Sequence, residues 1–70
     1  MQHYNYSALY GLIREKQITQ EELAQKIGIH PSTLSCKLNN NSEFSQGEMI
    51  LIMDVLGKRM KDIPAYFFQH

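Results

Sequence analysis

Apolar residues recur along this chain at intervals of three and four, the spacing that places side chains on one face of an α-helix. No segment between turn signals alternates apolar and polar residues as a β-strand does. The pattern therefore predicts an all-α fold of five helices, with residues 1–70 forming a single domain.

The first two predicted helices have recognisable ends. The first runs from Ser7, a candidate N-cap, to Lys16. The second opens at Thr19, which forms a capping box with Glu22 three residues later. It ends at Gly28, because glycine adopts the left-handed conformation common at helix ends.

The third helix is predicted to begin after His30, an unusual N-cap, with Pro31 at the first helical position, where a missing N–H costs nothing. Leu34 and Leu38 then face the core. The run Asn39–Asn41 ends this helix, since asparagine tolerates the left-handed conformation.

The fourth helix is predicted to be the central core helix. It begins with a capping box of Ser45 and Glu48 and stops at Gly57. Its apolar stripe comprises Met49, Ile50, Met53 and Leu56. A last short helix over residues 59–63 is expected to end near Pro64, because the proline ring removes a backbone donor.

Three consecutive aromatic residues, Tyr66, Phe67 and Phe68, follow that proline. One helix face cannot bury all three, so at least one should lie on the surface or against another chain. Two hypotheses stay open: Tyr66 and Phe67 cover the core, or the aromatic cluster is a protein interface.

The segment from Thr19 to Leu34 is the most informative part of the chain. Ala24 is small where two crossing helices approach, and Gly28 supplies a positive φ at a tight turn. Leu34 returns the second of the two helices to the core. This spacing predicts a helix-turn-helix of the nucleic-acid-binding type, with an ordinary helical hairpin as the alternative.

Length and composition exclude several classes of protein. A 70-residue domain buries a small core, so a dimer or a partner protein is plausible. No run of about 18 apolar residues and no signal peptide is present, which predicts a cytoplasmic protein. The single cysteine, Cys36, cannot form an internal disulfide, and it shows no metal-ligand spacing with the three histidines. We expect no metal and no cofactor.

The charge is balanced, with seven basic and seven acidic residues. A dedicated DNA-binding protein usually has a basic excess, so non-specific affinity for DNA should be weak. However, residues 28–42 contain Lys37 and His30 and no acidic residue. A mildly positive face in this region would permit DNA binding.

The motif from Thr19 to Asn39 resembles the five-helix DNA-binding domain of lambda-repressor-like and Cro-like phage regulators, and the helix pattern extends the resemblance to nearly the whole chain. More narrowly, three segments resemble small Cro-like or modulator-of-repression proteins of temperate phages of Gram-positive bacteria. These segments are residues 4–7, 33–39 and 63–68.

The resemblance implies that Gln20 binds a phosphate and that the third helix enters the major groove of DNA. The residues implied to face base edges are Pro31, Ser32, Ser35, Cys36 and Asn39; those implied to lie near phosphates are Thr33, Lys37, Asn40 and Asn41. The chain departs from the family pattern, because Pro31, Ser32 and Cys36 cannot make the bidentate contacts that distinguish bases. Sequence specificity should therefore be modest.

Two functions remain open at this point. The first is a regulator of the lysis-lysogeny switch that binds operator DNA as a homodimer through the helix-turn-helix. The second is a modulator that binds a cognate phage repressor and alters its DNA binding, with weak or no DNA affinity of its own. An enzyme is not expected, since the only nucleophile and base to consider, Cys36 and His30, point to different faces.

Overall fold

Five helices and one short 3₁₀ turn make up the computed structural model, which describes residues 3–69 and contains no strand within that range. The all-α, five-helix prediction is confirmed. The elements in chain order are α1 (Ser7–Glu15), α2 (Gln20–Ile27), α3 (Pro31–Leu38), α4 (Gln46–Val55), the 3₁₀ turn (Met60–Asp62) and α5 (Ile63–Phe67).

The start of α1 differs from the prediction. Ser7 is the first helical residue, and the N-cap position belongs to Tyr6, which makes no side-chain cap. The Ser7 N–H instead donates to Asn5 Oδ1 over 2.9 Å. Asparagine and serine are both good capping residues, and the asparagine two positions earlier takes this role.

The predicted ends of α2 and the predicted start of α3 are confirmed. Thr19 and Glu22 form a complete capping box, and Gly28 closes α2 with a φ of 81°. At the start of α3, the Nδ1 atom of His30 accepts a hydrogen bond from the Ser32 N–H over 3.1 Å. Pro31 follows in the first turn of the helix, as expected.

The capping box of Ser45 and Glu48 also begins α4 as predicted. The buried face of this helix differs in part from the predicted stripe. Ile52, Met53 and Leu56 are buried, whereas Met49 and Ile50 are only half-buried and Leu51 is exposed. Apolar residues occupy so many consecutive positions of α4 that one face cannot hold them all.

The prediction of a helix that ends near Pro64 was wrong. Residues 60–62 form only a 3₁₀ turn, in which the Arg59 N–H donates to Asp62 Oδ2 over 3.0 Å. Pro64 lies in the first turn of α5, which continues to Phe67. A proline lacks the N–H that the first helical turn leaves unpaired anyway, so it fits a helix start as well as a helix stop.

A single hydrophobic core joins all five helices. Its centre contains three aromatic rings packed edge to face, with Phe44 and Phe67 centroids 5.1 Å apart and Tyr6 and Phe44 centroids 5.6 Å apart. The buried residues are Tyr6, Leu9, Leu12, Ile13, Leu23, Ala24, Ile27, Leu34, Leu38, Phe44, Ile52, Met53, Leu56, Ile63 and Phe67.

The loop after α3 is fastened to the start of the chain by Asn40. Its Oδ1 atom accepts from the Tyr4 N–H over 2.8 Å, and its Nδ2 atom donates to the Tyr4 carbonyl over 3.0 Å. Asn40 has a φ of 64°, in the left-handed region. The paired hydrogen bonds hold residues that are 36 positions apart in the sequence.

We predict that Asn40→Gly lowers the free energy of unfolding by about 1 to 3 kcal/mol, because glycine keeps the positive φ available but removes the two hydrogen bonds from the Asn40 side chain to the Tyr4 backbone. Urea denaturation followed by circular dichroism measures the change. Gln17→Gly is the matched control, because Gln17 has a φ of 56° and its side chain makes no hydrogen bond within residues 3–69. Equal stability of the two variants would contradict the prediction.

Candidate nucleic-acid and protein interface

The turn between α2 and α3 fixes how α3 is presented. The Ile29 N–H donates to the Ala24 carbonyl over 3.0 Å, and the Gly28 N–H donates to the Gln25 carbonyl over 3.2 Å. These bonds satisfy carbonyl groups at the end of α2. Ala24 and Leu34 are both fully buried where the two helices meet. The helix-turn-helix spacing found in the sequence thus holds α3 against α2 with one face outward.

The outward face of α3 carries most of the residues that the sequence pointed to. Those exposed to solvent are Ser32, Thr33, Cys36, Asn39 and Asn41, and those half-buried are Gln20, Pro31, Ser35 and Lys37. Small, uncharged side chains dominate this face. The structure brings them together on one surface of the domain, with Gln20 at the first position of α2.

Lys37 does not extend freely from α3. Its Nζ atom lies 3.0 Å from Glu48 Oε1 and donates to the Glu43 carbonyl over 2.9 Å. The side chains of Lys37 and Glu48 are only 13% and 18% exposed. Lys37 is the one lysine or arginine of α3, so the helix presents no unpaired cation of these types.

Glu48 is the acidic partner in this arrangement. Partial burial raises the pKa of its carboxyl group, but the Ser45 N–H and the Lys37 ammonium outweigh burial and hold the pKa below its ordinary value of 4.5. The hydrogen bond from the Thr19 N–H likewise lowers the pKa of Glu22. Both carboxylates are therefore stabilised in their charged forms at the starts of helices.

Asn40 and Asn41 have different roles, although the sequence placed both near phosphates. Both polar atoms of the Asn40 side chain are engaged by the backbone of Tyr4. Asn41 is exposed. A phosphate contact by Asn40 would have to replace the hydrogen bonds that fasten the start of the chain, whereas Asn41 is accessible as it stands.

The three aromatic residues near the end of the chain also have different environments. Phe67 is 1% exposed and belongs to the core, and Tyr66 is half-buried against it. Phe68 is 45% exposed and packs edge to face on Tyr4, with ring centroids 5.9 Å apart. Phe67 is thus inaccessible to a partner, and the accessible aromatic surface comprises Phe68 and the half-buried Tyr4 on which it packs.

Tyr4 is a member of this surface that the sequence reasoning did not select as a site residue. Its pairing with Phe68 depends on the two ends of the chain meeting, where the Asn5 N–H donates to the Gln69 carbonyl over 2.6 Å. No local pattern signals that meeting. Within residues 3–69, no group of three or more metal-ligating side chains occurs, and no helix is long and apolar enough to cross a membrane.

Comparison with known proteins finds a matching family model and similarity to solved structures. A family model described as "Protein of unknown function (DUF739)" matches residues 2–70. The chain is also similar to the solution structure of the modulator of repression (MOR) of the temperate bacteriophage TP901-1 from Lactococcus lactis, with 40% sequence identity and a TM-score of 0.77. That match covers 93% of this chain and 88% of the other. No curated protein matches significantly.

We predict that the stabilising effect of Glu48 disappears in acid. Because folding lowers the pKa of Glu48, its contribution is fully present above the ordinary value of 4.5 and is lost as the pH falls through the lowered value. The unfolding free energies of the wild type and Glu48→Gln should therefore differ more at pH 7 than at pH 3. Urea denaturation at both pH values measures the difference.

Lys37→Met should reduce the same pH dependence, since it removes a group that lowers the pKa of Glu48. Lys61→Met is the control, because it removes an exposed lysine that has no ion pair within the described residues. The prediction for Glu48 would be contradicted if the difference in unfolding free energy between the wild type and Glu48→Gln were the same at pH 3 and pH 7.

Proposed function

The chain belongs to the family described as "Protein of unknown function (DUF739)", and we propose that it is a phage modulator that binds a cognate repressor protein and changes the repressor's DNA binding. The engagement of Lys37 by Glu48 and by the Glu43 carbonyl is the observation that carries this proposal. It leaves α3, the helix that would read DNA, without an unpaired lysine or arginine.

The chemistry of α3 favours a protein partner over DNA. Affinity for DNA comes largely from lysine and arginine side chains that neutralise phosphates. Recognition of bases relies on arginine, lysine, asparagine or glutamine in bidentate contacts. The outward side chains near the start and middle of α3 are Pro31, Ser32, Thr33 and Cys36, and none of them is charged. A protein interface, in contrast, has few charges at its centre.

The similarity to the phage protein supports the same proposal. That protein is described as a modulator of repression, and the two chains share 40% identity over nearly their whole lengths. The balanced charge of this chain also agrees with a protein partner, because a neutral protein gains little non-specific affinity for DNA.

We propose two contact regions for the repressor. The first is the outward face of α3, including Pro31 and Cys36. The second is the aromatic surface of Tyr4 and Phe68, since aromatic side chains are enriched among the residues that contribute most to protein interfaces. Phe68 is the most accessible ring of that surface and packs edge to face on Tyr4.

Operator binding by a homodimer is the second candidate function. The helix-turn-helix arrangement of α2 and α3 favours it, with Gln20 at the start of α2 and Asn39 and Asn41 exposed near the end of α3. Under this hypothesis Gln20→Ala weakens binding to the operator. Lys37 could contact a phosphate only after leaving Glu48.

We predict that the chain alone shifts operator DNA weakly or not at all, and that it changes the band shift given by a cognate phage repressor. Phe68→Ala should weaken association with the repressor about tenfold or more, because it removes an exposed aromatic anchor. Calorimetry measures the affinity. Met60→Ala is the matched control, as Met60 is 61% exposed and lies outside both contact regions. Unchanged affinity of Phe68→Ala would remove the aromatic surface from the proposal.

Cys36→Arg separates the two candidate functions, because they predict opposite results. A long cation on the outward face of α3 should obstruct a protein contact and lower the affinity for the repressor. If the face binds DNA instead, the added charge should raise DNA affinity and steepen its salt dependence by about one unit. Band-shift titrations at several salt concentrations distinguish these outcomes, and a gain in operator affinity with unchanged repressor binding would overturn the modulator proposal.

A further inference from the structure

An open groove of about 630 Å³ lies between the α1–α2 connection and the C-terminal end of α4. Ile18, Val55 and Leu56 supply its apolar lining, and Lys16, Glu22 and Lys26 supply its charged groups. No residue of α3 and no member of the aromatic surface lines it. The groove is therefore a separate feature from the two contact regions described above.

The apolar surface of the groove continues along α4. Leu51 lies one helical turn before Val55 on the same side of the helix, and it is 45% exposed. Val55 itself is only half-buried. Residues three to four positions apart on a helix are neighbours, so these side chains form an apolar strip that the core of this chain does not cover.

The charged groups give the groove an excess of positive charge. Lys16 and Lys26 are exposed, and neither lies within ion-pair distance of a carboxylate among the described residues, although the charge of Lys26 helps to lower the pKa of Glu22. The carboxylate of Glu22 is directed to the Thr19 N–H, which its Oε1 atom meets at 3.0 Å. Lys16 Nζ lies 3.8 Å from the point that a Cβ atom on Gly57 would occupy, which places this ammonium group beside the end of α4.

We propose that this groove is a docking site for an amphipathic helix of a partner protein, with apolar side chains on the Ile18–Val55 surface and acidic side chains toward Lys16 and Lys26. Its volume is in the range of ligand pockets, but it is open along its length, which suits a protein segment better than an enclosed small molecule. The apolar part of the lining does not suit the phosphate backbone of DNA.

This inference goes beyond the proposed function and does not depend on it. A partner could dock at the groove whether α3 contacts a repressor or an operator. Because the groove shares no residue with α3 or with the aromatic surface, variants can test the surfaces one at a time. Failure of one proposal leaves the other intact.

The test uses the full chain and three labelled helical peptides of about 18 residues, a length at which an isolated helix can form. The peptides share a leucine stripe at helical spacing, and their flanking positions are all glutamate, all glutamine or all lysine. Fluorescence anisotropy at low salt should show at least about tenfold tighter binding of the glutamate peptide than of the glutamine peptide. Amide chemical-shift changes should be centred on Ile18, Lys26 and Val55.

Lys16→Gln combined with Lys26→Gln should lower the affinity for the glutamate peptide about tenfold. Arg14→Gln combined with Lys61→Gln is the control, because it makes the same change in net charge outside the groove. Leu51→Asn tests the apolar strip independently at an exposed position, and thermal unfolding confirms that each variant is folded.

Four results would overturn the docking site: no binding of any peptide, equal affinity for the glutamate and lysine peptides, chemical-shift changes confined to α3, or equal losses in the Lys16/Lys26 variant and its control. A Lys16/Lys26 variant that loses affinity for DNA but keeps the glutamate peptide would assign the groove to nucleic acid instead and would equally overturn it.

Discussion

The Oε1 atom of Glu48 links the end of α3 to the start of α4. It accepts a hydrogen bond from the Ser45 N–H over 2.7 Å, and this bond forms part of the cap of α4. It also lies 3.0 Å from the Nζ atom of Lys37, near the end of α3. One carboxylate oxygen thus caps the start of α4 and also holds the side chain of Lys37 near the end of α3. The same contact withdraws the only lysine of α3 from solvent, so a requirement of the fold sets the chemistry of the outward face.

Interactions between residues close in sequence could be predicted from the sequence. The capping boxes at Thr19 and Ser45 and the left-handed Gly28 each depend on residues within one helical turn, so the residue types alone indicate them. The partners of Lys37 could not be predicted in this way, because Glu43 and Glu48 approach it only after the loop has folded back. The contact of Asn40 with Tyr4 joins residues that are even farther apart in the sequence. From the sequence alone, Asn40 looks like an asparagine that simply ends a helix.

The ambiguous positions are those at which one residue type fits two structures. Pro64 suits the first turn of a helix and the residue after a helix, and only packing of Phe67 into the core selects the first. Phe67, the last residue of α5, is buried, and Phe68 follows it at the C-cap with a non-helical φ of −119° and is exposed. The sequence predicts that at least one of the three consecutive rings is exposed. Which ring is exposed depends on where α5 begins and ends.

The hydrogen bond from the Asn5 N–H to the Gln69 carbonyl, 2.6 Å long, brings the two ends of the described chain side by side. Because these ends meet, the path of the described chain almost closes into a ring, and α5 returns to α1. A short linker between the ends would complete that ring. Any domain fused to either end would emerge beside Tyr4 and Phe68 and would shield that aromatic surface.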